Sequence, residues 1–578
     1  MRTTSCVSGL ICALLASCGA SPDGGATNRD ASIVIAATTD VHGRLRGWDY
    51  YTNSADTARS LAALATVLDS VRTANDGRVV LVDAGDLLQG NPLTFVAAKV
   101  HPDTIHPVIA VMNAMRYDAA VLGNHEFNYG VPHLRQAISR AAFPFLSANI
   151  KTANGTTLVA PHTMVSRVLP TGDTVRIGIV GGTTPGIMIW DADNVRAESV
   201  TVGDIVPAVR ASVQKVREQG AHVVVVLLHS GFNEPASYDT ISTGLPSENV
   251  ARRIATDVPD VDVVVFGHSH KEMVDSVVNG VLFVQPRNWA ASVALATVEL
   301  QQSGGRWQVV ARRGSSVPAA GHRERPEILA VTDSVHRATV AWATAPVGRT
   351  DVDWSSTDAR YLDSPITDFV NEVMRTATGA QLSATAVFSL DAKFAKGPIS
   401  VADISTLYPY DNTLRAVRIS GAQLRAFLEH SSRYYRTVNA SGAQPDSGFI
   451  DTTVPGYNFD VVSGARYTID LTQPVGRRIV GLSVGGKTVR PTDMFTMALN
   501  SYRAGGGGGY AMLAGSEVVY ERDVDIRQLL IDEVQRVNAT GQPLSPKRYY
   551  QHNWTIAPPL HFMPDTAQRH LPSTGTRH

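Results

Sequence analysis

The sequence predicts an α/β protein of two large domains, and three observations carry that expectation. The chain has 578 residues, more than one domain at about 100–200 residues each. From Ser32 to about Pro318, β-branched apolar runs alternate with helix-like stretches, the pattern of a sheet covered on its faces. Charge and helix breakers then gather in "GHRERPE" (321–327), and a second α/β stretch runs from about Val347 to Pro558. Hydrophobic residues make up 44% and charged residues 18%, so both halves can bury a sizeable core.

Taken in chain order, the first segment is "MRTTSCVSGLICALLASCGA". Arg2, a short apolar run and small residues make it a secretory signal, too short for a transmembrane span. "LASC" resembles the bacterial lipoprotein cleavage box, which makes Cys18 the lipidation site and new N-terminus of an exported, envelope or periplasmic protein. Residues 1–18 are then the signal, and 19–31 a flexible polar tether. The three cysteines are Cys6, Cys12 and Cys18, so the mature domains contain no disulfide framework. A lipid anchor is the one membrane attachment expected.

Six runs read as buried strands ending in loops: "SIVIAATTD" (32–40), "VVLVDAGD" (79–86), "AAVLGNHE" (119–126), "VRIGIVGGTT" (175–184), "HVVVVLLHSG" (222–231) and "VDVVVFGHSH" (261–270). Between the first two, "SADTARSLAALATVLDSVRTAN" (54–75) repeats apolar residues at three and four, an amphipathic helix. The first domain therefore spans 32–320. A linker over 321–346 carries the helix-like "ILAVTDSVHRATVAWATA" (328–345), where a hinge would sit. The second domain spans 347–558, and a Pro-rich tail covers 559–578. "AGGGGGY" (504–510) is a glycine loop flanked by strand-like text. "LPSTG" (571–575) matches a sortase-type anchoring signal, but only "TRH" follows it, so the match is read as chance.

Polar residues fall where these strands stop. Asp40 and His42 follow the first, Asp83 and Asp86 the second, Asn124 and His125 the third, His229 the fifth, and His268 and His270 the sixth. Ligands gather outside the carboxyl ends of strands in α/β sheets. Mixed imidazole and carboxylate donors suit Zn, Mn or Fe more than Mg or Ca alone. The set exceeds what one ion needs. A carboxylate shared by two divalent ions accounts for the surplus, and such pairs, about 3.5–4 Å apart, catalyse in-line phosphoryl displacement.

In order, "TTDVHG", "GD" at 85–86, "GNHE", "HSG" and "GHSH" resemble the dinuclear metallophosphoesterase domain of the bacterial 5′-nucleotidase family. The resemblance implies a calcineurin-like first domain, a β-sandwich flanked by helices, and an α/β 5′-nucleotidase substrate-binding domain. It implies that Asp40, His42 and His270 hold one metal, that Asn124, His229 and His268 hold the other, and that Asp86 bridges. It makes His125 the catalytic histidine beside the phosphate, with Asn124 and Asn128 completing the catalytic set. Asp83 is read as structural. "GNHEFNYG" resembles the branch called 2′,3′-cyclic-nucleotide 2′-phosphodiesterase/3′-nucleotidase, as do "DYYTNSAD", "FPFLSANI", "YPYDNTL", "YNFDVVSGARYTIDLTQP" and "NSYRAGGGGGY". The reaction implied is attack of metal-bound hydroxide on phosphorus. Asn128 departs from the Asp usual in 5′-nucleotidases. An amide accepts a hydrogen bond from an imidazole N–H but brings no negative charge to it.

By motif, the family's two base-clamping aromatics match Tyr410 and Tyr502; stacking tolerates any base. Asn412, Asn500 and Arg503 are polar neighbours that could read base or sugar, and Gly505 to Gly509 allow close backbone approach. The family's glycine-rich segment ending in Arg is absent from "FSLDAKFAKGPIS" (388–400). Lys393 or Lys396 would be the substitutes there, without a bidentate fork. A net charge of −1 argues against a nucleic-acid polymer as partner but not against a single nucleotide. The competing expectations are a 5′-nucleotidase or UDP-sugar hydrolase, a sulfur-oxidation hydrolase of the same fold, and a nucleotide-capturing lipoprotein without turnover. Oligomeric state is left open.

Overall fold

The computed structural model describes residues 29–236, 238, 240–410, 412–439 and 448–559. The signal, Cys18, most of the tether and nearly all of the tail lie outside the described residues.

Two six-stranded sheets stack to form the first domain. One has the order Arg306–Pro318, Ser292–Ser303, Arg29–Thr38, Val79–Asp83, Ala119–Val121, Phe145–Leu146. The other runs Met273–Val278, Val281–Gln285, Val263–Phe266, Val223–His229, Thr174–Thr183, His162–Val168. All six expected strands are present. Those that matter for the site run parallel: Val34 pairs with Val79 and Val82 with Ala119 in the first sheet, Val223 with Ile177 and Val225 with Val263 in the second.

Alternation explains the continuous apolar runs. Ile33, Ile35, Val80 and Val82 point into the sandwich against Ile177, Ile179, Val225, Leu227, Val263 and Val265. Their neighbours Val34, Ala36 and Leu81 point out, under the helices Leu61–Ala74 and Pro107–Met115. On the other side Val224, Val226 and Leu228 meet the helices Ile205–Glu218 and Ala251–Asp257. Each strand is thus buried on both faces, at about 1.5–3 kcal/mol per Val, Leu or Ile side chain.

The first helix begins later than its periodicity suggests. Ser60 caps it, its hydroxyl accepting from Ala63 N at 3.2 Å, while Ser54–Ala55 pairs instead with Trp48–Asp49. The linker helix is Pro326–Thr344. Ile328, Leu329, Val335 and Val340 pack it along the first domain's outer helical layer, and Trp342 lies 5.2 Å from Phe95. The chain leaves it at Ala345, extended before Pro346. No helix among the described residues is long and apolar enough to cross a membrane.

A five-stranded sheet builds the second domain, in the order Asp460–Ser463, Leu382–Ala386, Met494–Asn500, Thr413–Ser420, Glu517–Asp525. Helices Pro365–Thr378, Val401–Leu407 and Ile526–Ala539 cover one face and Gly421–Ser431 the other. The domains touch, among other places, where the Arg527 guanidinium lies 4.8 Å from the Phe95 ring, where Arg415 ion-pairs with Asp193, and where Gly505 sits against Ile189.

Candidate metal centre and substrate cleft

The carboxyl ends of the parallel strands of both sheets converge at one edge of the sandwich. Three groups of side chains there could each hold a cation, with their ligand atoms within 4.8 Å of one another: Asp40, His42 and His270; Asp86, His229 and His268; and His42, Asp86 and His125. Asp86 belongs to the last two groups, and His42 to the first and the last. His229 Nε2 lies 3.1 Å from Asp86 Oδ2 and 3.0 Å from Asn124 Oδ1. His42 Nε2 lies 3.8 Å from the same Asp86 oxygen, and His270 Nε2 lies 3.3 Å from Asp40 Oδ1.

Strained backbone aims these groups. Asp40, His42, Asp86, His268 and His270 all have φ between +46° and +75°, the left-handed region that costs non-glycine residues roughly 1–3 kcal/mol each and collects at functional sites. Close approach demands glycine beside them. A Cβ on Gly123 would stand 2.2 Å from Asp86 Oδ1, and one on Gly267 would stand 2.0 Å from Thr39 Oγ1.

The donor chemistry fits divalent ions because His42, His229 and His268 are each anchored by one nitrogen and offer the other. His42 Nδ1 donates to Gln89 O at 2.7 Å, and His229 Nδ1 donates to Ala84 O at 2.8 Å. His268 Nε2 donates to Glu248 Oε1 at 2.7 Å, leaving Nδ1, and its ring stacks on Trp190 at 5.5 Å. The Asn288 amide lies 3.0 Å from His270 Nδ1. Such outer partners fix tautomer and ring direction in metal sites. Burial pushes Asp40 and Asp86 upward, yet His270 and His229, respectively, outweigh it and hold both below the usual carboxylate range. Burial works against charge on His229, but Asp86 raises it to about 10. Burial, partly offset by Asp86, drops His42 to about 3.

Three carboxylates complete the centre. Glu126, inside the "GNHE" motif, had no role assigned from sequence. It is 1% exposed and accepts from four backbone N–H groups: Asp86 at 2.9 Å, Leu87 at 2.6 Å, Leu88 at 3.1 Å and Gly123 at 2.5 Å. It ties the Asp86 loop to the Asn124–His125 loop. Burial, then Asp86, push its carboxyl upward against those N–H groups. Asp83 accepts from Thr38 Oγ1 at 2.6 Å and Gly85 N at 2.7 Å, away from the candidate ligand groups, and burial lifts it far above its usual range. Asp191 was not visible as a site residue. His125 Nδ1 donates to Asn128 Oδ1 at 2.6 Å, and Asn128 Nδ2 donates to Asp191 Oδ1 and Oδ2 at 2.9 and 3.0 Å.

The second domain brings aromatic residues toward this edge. Tyr410 packs edge-on against Phe388, with ring centroids 4.9 Å apart. Its hydroxyl is pushed up by burial and by the neighbouring Tyr457 and Tyr502. Tyr502 and Tyr457 also feel Glu248, the partner of His268, which puts the aromatic cluster beside the metal-site histidines. Tyr457 lies in a stretch quoted above but was not singled out. Asn500 caps the turn Ser501–Ala504 by accepting from Arg503 N at 2.7 Å. Arg503 is 2% exposed and ion-paired to Asp460 at 2.6 Å. It donates to Gly507 O and Tyr457 O, each at 2.8 Å, and lies 5.5 Å from the Tyr502 ring. Asn412 hydrogen-bonds Tyr408 through its side chain. Asn500 and Asn412 thus meet at Tyr408, and Arg503 lies beside Tyr502 and Tyr457. Lys393 and Lys396 are exposed, at the short ribbon formed by Lys393–Phe394 and Trp354–Ser355.

Residues 33–272 match the family model of the calcineurin-like phosphoesterases, and residues 346–515 match that of the 5′-nucleotidase C-terminal domain. The chain is 31% identical to the trifunctional nucleotide phosphoesterase protein YfkN of Bacillus subtilis; the match covers 91% of this chain and 39% of that longer protein. It is 30% identical to the 2′,3′-cyclic-nucleotide 2′-phosphodiesterase/3′-nucleotidase of Haemophilus influenzae, over 92% of this chain and 88% of that one. A crystal structure of a putative 5′-nucleotidase from Staphylococcus aureus superposes with a TM-score of 0.76 at 24% identity, covering 91% of this chain and all of that one, a likeness of fold.

Proposed function

The chain belongs to the 5′-nucleotidase family of calcineurin-like metallophosphoesterases and is a metal-dependent phosphoester hydrolase, and from that premise we propose that its substrates are 2′,3′-cyclic nucleotides and 3′-nucleotides. The substrates follow the activities for which its relatives are named, and the observation that carries the dimetal chemistry is Asp86. One of its oxygens faces His229 at 3.1 Å and His42 at 3.8 Å, so a single carboxylate serves both ligand groups. Asp40, His42 and His270 would hold one ion, Asn124, His229 and His268 the other, with Asp86 available to both. Zn, Mn or Fe suits this mixture of imidazole, amide and carboxylate. Two such ions supply the positive charge that activates water and neutralises phosphoryl oxygens.

The protein's own groups do the rest. His125 presents Nε2 to the space beside Asp86, at 4.0 Å; with a hydrogen on each nitrogen, the ring donates from Nε2 to a phosphoryl oxygen as negative charge grows there. Tyr410 and Tyr502 hold the nucleobase; Arg503 lies 5.5 Å from the Tyr502 ring, and Asn500 and Asn412 bond Tyr408. The lysines of 388–400 are exposed in a ribbon, which favours a site that makes no strong phosphate contact from this segment. Cleavage of "LASC" would leave the enzyme exported and lipid-anchored through Cys18.

The test is phosphate release by residues 19–578 loaded with Mn²⁺ or Zn²⁺, with a coupled phosphatase for the diester. Turnover of 2′,3′-cyclic AMP and 3′-AMP, with weak 5′-AMP and UDP-sugar activity, is expected. Dominant 5′-AMP turnover would overturn the substrate assignment while keeping the dimetal chemistry. Tight nucleotide binding without turnover would favour a capture protein instead.

A further inference from the structure

The sequence places an amide, Asn128, where a carboxylate would back the catalytic histidine. The structure returns a carboxylate one step further out. We propose that Asp191 is a positioning residue for His125, acting through the Asn128 amide. The inference rests on the reading of His125 as the group beside phosphorus.

Hydrogen-bond polarity fixes the arrangement. An ionised carboxylate only accepts, whereas an amide has a donating and an accepting end. Asn128 Nδ2 lies 2.9 and 3.0 Å from the two Asp191 oxygens. The amide nitrogen must therefore face Asp191, and the amide oxygen must face His125. At 2.6 Å from that oxygen, His125 Nδ1 must carry the hydrogen. The ring is left with Nε2 toward Asp86, whichever protonation state it is in. Without the carboxylate, the amide is free to turn its NH₂ toward Nδ1, which would remove the acceptor that holds the Nδ1 hydrogen and so disfavour the doubly protonated ring that donates from Nε2.

Asp191 is itself held. It is 8% exposed, and Asn194 Nδ2 donates to its Oδ1 at 3.3 Å and to Phe127 O at 2.9 Å. It stands at the start of the short helix Ala192–Ala197. Its neighbours Ile189 and Asp193 meet Gly505 and Arg415 of the second domain. The position is thus fixed from three sides, on a segment 63 residues from Asn128 in sequence.

The experiment is steady-state hydrolysis of 3′-AMP by the Mn²⁺-loaded enzyme, comparing wild type, Asp191→Leu, Asp191→Asn, the exchange Asn128→Asp/Asp191→Asn, and His125→Ala. Metal content and melting temperature are measured on each. Asp191→Leu should lower kcat about 10–100-fold, a part of the roughly 10²–10³ that a transition-state donor is worth, with KM within about threefold and metal content unchanged. Asp191→Asn, which retains an acceptor, should lose less. The exchange variant puts the carboxylate directly against the imidazole and should recover kcat to within about fivefold of wild type. A merely structural Asp191 would not be rescued that way, and an exchange variant as slow as Asp191→Leu overturns the inference. So does wild-type kcat in Asp191→Leu and Asp191→Asn when His125→Ala is inactive. Full activity in His125→Ala would instead remove the reading of His125 itself, and the inference with it.

Discussion

Glu126→Gln removes one acceptor from the most heavily bonded carboxylate at the centre. Each Glu126 oxygen takes two backbone N–H groups: Oε1 those of Leu87 and Leu88, Oε2 those of Asp86 and Gly123. A glutamine keeps one oxygen. Its NH₂ then opposes two buried N–H donors with nothing to accept them. At about 1–3 kcal/mol for each unsatisfied buried donor, the cost is about 2–6 kcal/mol. The same change loosens the Asp86 loop from the Asn124–His125 loop, so stability and metal binding should fall together. For a domain this size about 2 °C of melting temperature accompanies each kcal/mol. The assay is thermal unfolding of the apo and Mn²⁺-loaded enzyme, with a metal titration alongside. The reasoning predicts a clearly lower melting temperature and weaker metal affinity. A variant that melts within about 1 °C of wild type and binds metal equally well would refute the idea that Glu126 ties the two loops.

Tyr502→Ala should raise KM for 3′-AMP about 5–150-fold, the equivalent of about 1–3 kcal/mol of base stacking, and leave KM for ribose 3-phosphate unchanged. An equal rise for both substrates would mean that Tyr502 shapes the domain and does not hold the base. Asp368 gives a stability signature. Burial, then Asp363, raises its carboxyl from 3.8 to about 7, so the folded chain keeps a proton that the unfolded chain has lost. That contribution is complete below about pH 4 and falls as pH rises to about 7, by up to about 1.4 kcal/mol per unit. Asp368→Asn should flatten the decline in the second domain's melting temperature between pH 4.5 and 8; an unchanged slope would contradict it.

The sequence makes the strand ends legible because each buried run stops abruptly at polar residues, and the stop is where the strand leaves the sandwich. Asp40, Asp86, Asn124, His229 and His270 are readable for that reason, and the two-face burial of Val223–His229 accounts for its unbroken apolar text. The helix start was less legible. Residues 54–55 share its polarity but are drawn into pairing with Trp48–Asp49, a tertiary preference that periodicity does not register. Glu248, Asn288 and Asp191 reach the site from loops or short turns with no period and no motif. Only folding brings Asp191 to Asn128. Arg503 illustrates the opposite difficulty. Its place beside Tyr502 in sequence suggests ligand contact, whereas the Asp460 carboxylate draws its guanidinium inward.

Metal content under saturating Mn²⁺, measured by elemental analysis on wild type, His270→Ala and Asp86→Ala, tests the shared-carboxylate centre most directly. The account predicts two ions per chain in wild type, retention of one when His270 is removed, and loss or severe weakening of both when Asp86 is removed. One ion per chain in the wild-type enzyme, or two retained without Asp86, would contradict it.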